Sequence, residues 1–360
     1  MPHALVTGAT GLVGSHIVER LLADGWSVRA LVRDPGRAAW LSRAGVALHP
    51  GDTLDSATFA HAAQGSDVVF HAAAAITPRG GWEAYRATNI EGTRNAVEAA
   101  RGAGARLLHV SSVAVYGPGR YRDGGRGTGD GEGGTRDEGR GTNGERTARG
   151  SRRLTDEDVA LEPLPATAHY ARSKRDSESI VLDAHRAGRI WATAVRPCVI
   201  YGRRDRQFVP RAARLLRTGL APVVGDGATT LAIVHAANVA DGAVRAATTD
   251  AAGGRAYNLA NDGEVTVREF VRLAAEGLGR EVRTFSVPLP LARAAIAVAA
   301  AAAGLAGGHG RRAMVGSTLS FVTRDNPFSS DRARDELEWR PVVRADEGIV
   351  EAFRWWTEQR

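Results

Sequence analysis

The chain has 360 residues, 43% of them hydrophobic, and a formal charge of +7, enough apolar material for about two domains or one large domain with a subdomain. A single cysteine, Cys198, excludes an intramolecular disulfide and fits a reducing, cytoplasmic setting. Of 47 basic residues only Lys174 is lysine, the arginines are scattered and aromatics are 6%, so no basic stripe interleaved with aromatics marks a nucleic-acid face.

The opening MPHALVTGAT runs straight into an apolar strand and a glycine turn, with no leader-like pattern. Gly11 to Ala23 reads as a helix whose apolar residues are Leu12, Val13, Ile17, Leu21 and Leu22. Strands are expected at Ser27–Arg33, Val46–Asp52, Asp67–Ala74 and Arg106–Ser112, with a helix over Trp82–Ala103. A helix over Tyr170–Ala187 and a strand over Ile190–Pro197 follow. Strands alternating with helices of this length predict an α/β fold with a doubly wound parallel Rossmann sheet over residues 1–201.

Residues 119–150 interrupt the alternation. Twelve of these 32 are glycine and most of the rest are Arg, Asp, Glu and Thr, a composition read as a disordered surface insertion. From residue 202 to 360 helices dominate, with short strands in LAIVH, AYNLA and VRTFSV. This predicts a smaller substrate-binding lobe that closes over the end of the sheet and exchanges some chain with it. LPLARAAIAVAAAAAGLAGG, residues 289–308, is rich in alanine and carries Arg293. It reads as an amphipathic helix covering a cleft and not as a membrane span.

TGATGLVG sets Gly8, Gly11 and Gly14 where the first strand turns into the first helix. Glycine there allows a tight turn and close approach of backbone to a pyrophosphate, which the helix N-terminus then faces. Gly8, Thr10, Gly11, Leu12, Val13 and Gly14 are the expected contacts. At the end of the second strand, where an acid would bind ribose hydroxyls, stands Val32, followed by Arg33, with Arg37 a helical turn on. That favours NADP(H) over NAD(H), with Asp34 an acid one place too far. Asp52, with Thr53, follows the third strand, where a carboxylate can accept from an adenine amino group.

Tyr170 and Lys174 are four apart in a helical segment and share a face. A nearby ammonium lowers the pKa of a phenol and suits it to acid–base work. Ser112, at the carboxyl edge of the fifth strand, is the candidate to bind the reacting oxygen, and alternation turns Ser111 the other way.

Together these residues resemble the extended short-chain dehydrogenase/reductase superfamily. TGATGLVG, GDTLD, HAAAA, TNIEGTRNAVEAA, VSSVAVYG, YARSK, VRPCVIYG and YNLANDGEVTVREF occur in that superfamily's order. The resemblance implies Ser112, Tyr170 and Lys174 as the catalytic triad, with Tyr170 as acid/base. It implies that Asn89 holds the helix and the active-site water or backbone near Lys174. It sets His71, Ala72 and Ala73 beside the cofactor's phosphates and ribose, and the segment from Arg196 to Gly202, with Pro197 and Val199, near the nicotinamide and substrate. Other stretches look most like the 3β-hydroxysteroid dehydrogenase-like and NAD-dependent epimerase/dehydratase branches. Val113 and Ala114 after Ser112 argue against dehydration.

The expected activity is hydride transfer between NADP(H) and a ketone or secondary alcohol that is steroid-like, polyketide-derived or a deoxysugar. A nucleotide-sugar epimerase with retained NAD is the alternative, and a non-catalytic dinucleotide sensor a third class. Arg203, Phe208 and His235 are candidates to line the substrate pocket. The resemblance is also compatible with a homodimer.

Overall fold

The computed structural model describes residues 1–76, 80–117, 155–260, 263–305, 321, 323 and 325–359. The expected insertion at 119–150 lies outside the described residues. Seven parallel strands form the central sheet: β1 His3–Thr7, β2 Ser27–Val32, β3 Ala47–Pro50, β4 Val68–His71, β5 Arg106–Val110, β6 Ala192–Pro197 and, later in the chain, β10 Ala256–Leu259. Their order is β10-β6-β5-β4-β1-β2-β3. The order reverses between β1 and β4, which lie in register with Thr7 opposite His71. In such sheets ligands bind outside the carboxyl ends at this reversal.

Alternation along β1 shows how the sheet is covered. Ala4 and Val6 face one side, with Ile17, Val18 and Leu21 of α1 (Leu12–Ala23) and Val239, Ala240 and Ala243 of α8 (Ala236–Thr248). Leu5 faces the other, with Phe59 of α3 (Ser56–Ala63), Val97 of α5 (Gly92–Ala103) and Val181 of α6 (His169–Arg186). The sheet is buried on both faces, as parallel sheets are. α2 (Ala39–Arg43) follows β2. Asp55 caps α3, accepting from Ala57 N and Thr58 N at 3.1 Å each.

The segment expected as one helix from Trp82 to Ala103 is α4 (Gly81–Tyr85), a π-helical turn over Arg86–Glu91, and then α5. π-turns occur mostly as local bulges, frequently at functional sites.

From Val199 on the chain builds two parallel strand pairs, β7 (Val199–Tyr201) with β9 (Ile233–His235) and β8 (Leu220–Val224) with β11 (Arg283–Val287). Phe270 of α9 (Val267–Gly277) touches the rings of Phe208, on α7 (Phe208–Leu216), and Phe353, on the helix Ala345–Glu358. The lobe is not a separate body, because the AYNLA segment leaves it and forms β10 at the edge of the main sheet. The helix expected at 289–308 is α10, Leu289–Leu305. Leu291 and Val298 on it are exposed, whereas Ala292 is buried. Among the described residues no helix is long and apolar enough to cross a membrane.

Trp339 locks the returning C-terminal segment onto α8. It is fully buried, and its Nε1 donates to Asn238 O at 2.9 Å. Trp339→Ala is expected to cost about 3–5 kcal/mol, measured as a lower urea midpoint.

Candidate active site

The turn after β1 is shaped by close backbone approach. Gly8 has φ 68°, and a Cβ on it would stand 2.7 Å from Ala73 N and 2.8 Å from Ala72 C. A Cβ on Gly14 would overlap the Gly8 carbonyl. Gly11 N donates to Gly8 O at 2.8 Å and closes the turn. Gly11 is the N-cap of α1, and no side chain caps it. The first N–H groups of α1 thus face the sheet reversal without a side-chain acceptor, an arrangement that favours an anion. Thr10, Leu12 and Val13 are half-buried in the same turn.

Thr7 and His71 join β1 to β4 across the reversal. Thr93 Oγ1 donates to Asn89 O at 2.7 Å, so it accepts from His71 Nε2 at 3.2 Å. His71 Nδ1 then accepts from Thr7 Oγ1 at 2.9 Å, and Thr7 Oγ1 accepts from Ala73 N at 3.3 Å. The direction of each bond follows from its neighbour. Burial, with Lys174 nearby, lowers the pKa of His71 to about 3, so it is a neutral brace.

At the far end of the cleft Arg33 is exposed and makes no hydrogen bond or ion pair among the described residues. Asp34 Oδ1 accepts from Gly36 N and Arg37 N, so the acid that follows Arg33 is engaged in its own turn. Arg37 is 86% exposed and 3.9 Å from Asp34. Asp52 accepts from Leu54 N and Thr53 Oγ1, while Thr53 O accepts from Asn95 Nδ2 on α5.

The candidate catalytic residues Ser112, Tyr170 and Lys174 come from the turn after β5 and from α6. Ser112 caps the short 3-10 turn Val113–Tyr116, its Oγ accepting from Ala114 N at 3.2 Å. The Ser112 side chain also stands beside the Tyr170 phenol and favours its ionised form. Ser111 is buried, and its hydroxyl finds no partner among the described residues. Lys174 is 2% exposed, and its Nζ donates to Val110 O at 2.6 Å.

One electrostatic expectation is reversed. Burial pushes the Tyr170 phenol up, Ser112 opposes this, and Tyr85 adds to the rise. Lys174 does not hold the phenol low, because its ammonium is turned onto the Val110 carbonyl. Burial also lowers Lys174 to about 8, against the attraction of Glu178.

Asn89, in the π-helical turn, accepts from Ala75 N at 2.7 Å and donates to Ala75 O at 3.0 Å and to Ser173 Oγ at 2.9 Å. Its bonds run to the loop after β4 and to α6, not to Lys174 itself. Pro197 ends β6 and Val199 begins β7. Arg196, expected near the substrate, instead holds Glu178 through Nε at 3.0 Å and Nη2 at 2.6 Å in a buried pair. Of the pocket candidates, Phe208 packs in the lobe core. His235 is buried against Tyr201, and Arg203 pairs with Glu19 and Glu351.

An aromatic group beside Tyr170 was not foreseen. The Tyr85 ring lies 6.4 Å from that of Tyr170 and 6.2 Å from that of His169, which is 6.0 Å from Trp82. Tyr85 OH donates to Ile76 O at 2.6 Å, and Ile76 is exposed. The sequence signal was the pairing of a WxxY helix start with the histidine before Tyr170.

The model of the NAD dependent epimerase/dehydratase family matches residues 4–137 and 141–260, and the chain belongs to that family. It is 28% identical, over 96% of its length and 93% of the relative's, to the 4-hydroxy-2-methyl-3-oxo-4-farnesyl-3,4-dihydroquinoline-1-oxide ketoreductase of Stigmatella aurantiaca. It is 30% identical, over 93% and 85%, to the ceramide reductase of Caulobacter vibrioides. In fold it is similar to the UDP-glucuronic acid 4-epimerase of Bacillus cereus in complex with NAD, with a TM-score of 0.70, 18% identity and 99% of each chain covered.

The uncapped helix N-terminus and the turn without room for Cβ atoms fit the dinucleotide this family takes. Gly14→Ala must displace the Gly8 carbonyl. It is expected to weaken dinucleotide binding at least about tenfold with little change in far-UV circular dichroism, as read by fluorescence titration.

Proposed function

We propose that this nicotinamide-dependent oxidoreductase reduces a lipophilic ketone to a secondary alcohol and prefers NADPH. The observation that carries the reading is the placement of Ser112 beside the Tyr170 phenol, one helical turn from buried Lys174 and beside the sheet reversal.

When bound, the nicotinamide supplies the hydride to the carbonyl carbon. Gly8, Thr10, Gly11, Leu12, Val13 and Gly14 would hold its pyrophosphate, with Ala72 and Ala73 alongside. Asp52 and Thr53 would lie at the adenine, and Pro197 and Val199 at the nicotinamide. Lys174 would turn from Val110 O to the ribose hydroxyls.

Tyr170 stays protonated in its buried setting, so it acts as the proton donor to the substrate oxygen. Ser112 is held in place by Ala114 N, and its own proton remains available to that oxygen or to the phenolate left behind. The Lys174 ammonium favours that phenolate. Asn89 fixes the Ala75 loop that borders the site and steadies α6 through Ser173.

Two observations support a lipophilic substrate. Tyr85, His169 and Trp82 set an aromatic wall beside the phenol, continued by exposed Ile76. Two of the relatives are named as reductases of a farnesylated quinoline oxide and of ceramide. Support for NADPH comes from Arg33, free of protein partners among the described residues, and from Asp34, whose carboxylate is engaged by Gly36 and Arg37.

Tyr170→Phe is expected to lower kcat by at least about a hundredfold and leave NADPH affinity near that of the parent. A variant that keeps its turnover rules out the assignment of the proton donor. Arg33→Ser is expected to weaken NADPH about tenfold and leave NADH unchanged, measured by paired titrations. Tightly retained NAD in the purified protein, with no effect of Arg33→Ser, would instead favour an epimerase that keeps its cofactor.

A further inference from the structure

Tyr170, Lys174 and Glu178 stand at i, i+4 and i+8 on one face of α6. Lys174 and Glu178 are 2% and 4% exposed. An ammonium withdrawn from water this completely loses its proton unless a charge nearby opposes it.

The groups around Lys174 come from four elements. β5 provides Val110 O at 2.6 Å and His109 Nε2 at 3.5 Å. Ser177 Oγ donates to Lys174 O at 3.0 Å, so it accepts from His109 Nε2 at 3.1 Å, and that nitrogen carries a proton. It therefore offers Lys174 no lone pair. β4 provides His71, whose ring stacks on His109 at 5.7 Å, and burial keeps both neutral. β6 provides Arg196, and α6 itself provides Tyr170 and Glu178. Among the described residues the anion acting on Lys174 is Glu178.

Glu178 is held from the other side. Arg196 grips its carboxylate through Nε and Nη2, and donates through Nη1 to Tyr116 OH at 2.8 Å. Tyr116 OH donates to Asn258 Oδ1 at 2.8 Å, and Asn258 lies directly opposite Arg196 in the β10–β6 register. Tyr116 also closes the short turn that starts at Ser112. A buried ion pair gives little stability over an apolar replacement, so its value here is sought in the charge it presents.

We propose that Glu178 is a positioning residue for Lys174, its carboxylate locked by Arg196 so that the ammonium stays charged beneath the active site. The inference rests on the reading of Tyr170 and Lys174 as the groups that handle the proton.

The chain contains a single lysine, so protein labelled with [ε-13C]lysine gives one lysine side-chain resonance, that of Lys174. In the parent protein the resonance is expected to titrate near about 8. In Glu178→Gln its midpoint falls by about one pH unit, and the deficit in kcat/KM for ketone reduction grows up to about tenfold between about pH 6 and about pH 9. Tyr116→Phe leaves the carboxylate in place and is expected to leave the midpoint where it was. Should the unpaired guanidinium prevent Glu178→Gln from folding, the double variant E178Q/R196Q removes both charges and carries the same expectation.

A folded variant of either kind whose lysine titrates as in the parent overturns the inference. So does a parent midpoint below about 7, because the ammonium is then not held at neutral pH. Retained turnover in Tyr170→Phe would overturn the reading of the site. An inactive Tyr170→Phe together with an unmoved lysine resonance overturns the role of Glu178 alone.

Discussion

The close approach of β1 and β4 at their carboxyl ends is the constraint on which the rest of the molecule is arranged. Gly8 lies so near the backbone of Ala72 and Ala73 that no side chain fits between them. The order of the strands reverses at this point, which opens the crevice. Thr7, His71, Thr93 and Asn89 then carry a hydrogen-bonded chain from the turn after β1 to the π-helical turn before α5. Asn89 passes it to Ala75 and to Ser173 on α6. The glycine turn after β1 and α6, which carries Tyr170, are thus joined through a few buried polar groups with assigned donors and acceptors. A misplacement at one end reaches the other through a network whose members have no water to fall back on.

The reacting end follows a different logic. Ser112, Tyr170 and Lys174 are all withdrawn from solvent to some degree, and the phenol and the ammonium are perturbed by that withdrawal. Burial raises the phenol and lowers the ammonium, so the two tendencies together favour the neutral forms. A raised phenol suits a donor that must hold its proton until a carbonyl oxygen takes it. On the proposed reading the ammonium becomes useful when the phenolate appears, because it would stabilise charge that develops during reaction and not before it. The Glu178–Arg196 pair belongs to the same scheme, since it supplies a fixed carboxylate behind a group that would otherwise shed its proton.

Much of this was legible in the sequence where the chemistry is local. The glycine turn needs only a strand, three glycines and a helix, and the shared face of Tyr170 and Lys174 needs only helical periodicity. The seven-stranded sheet was legible for six strands, because apolar β-branched runs alternate with helices. The seventh, β10, is recruited from beyond residue 202, and no local pattern tells a strand which sheet it will join. The break at Arg86–Glu91 was hidden because a π-turn keeps the same apolar face as an α-helix for a few residues. The direction of the Tyr170 shift was misread because spacing shows that an ammonium is near but not what it binds. Arg196 and Tyr116 lie in the recognised motifs and Glu178 one helical turn beyond YARSK, yet their pairing depends on contacts between residues up to 80 apart.

The same geometry explains why an arginine-rich chain carries lysine at position 174. The Nζ of Lys174 meets a carbonyl oxygen at Val110, the N–H side of His109 and the walls of a buried slot. A guanidinium there would bring five donors in a rigid plane to a place that offers one protein acceptor within reach. Its remaining donors would be buried without partners, at about 1–3 kcal/mol each or more for a charged group. Arg196 occupies the opposite kind of site, where a carboxylate and a phenol take three of its donors. An ammonium is also compact enough to turn from Val110 towards ribose hydroxyls without rearranging α6. Lysine at 174 and arginine at 196 thus divide two buried positive charges by the number and direction of the acceptors around them.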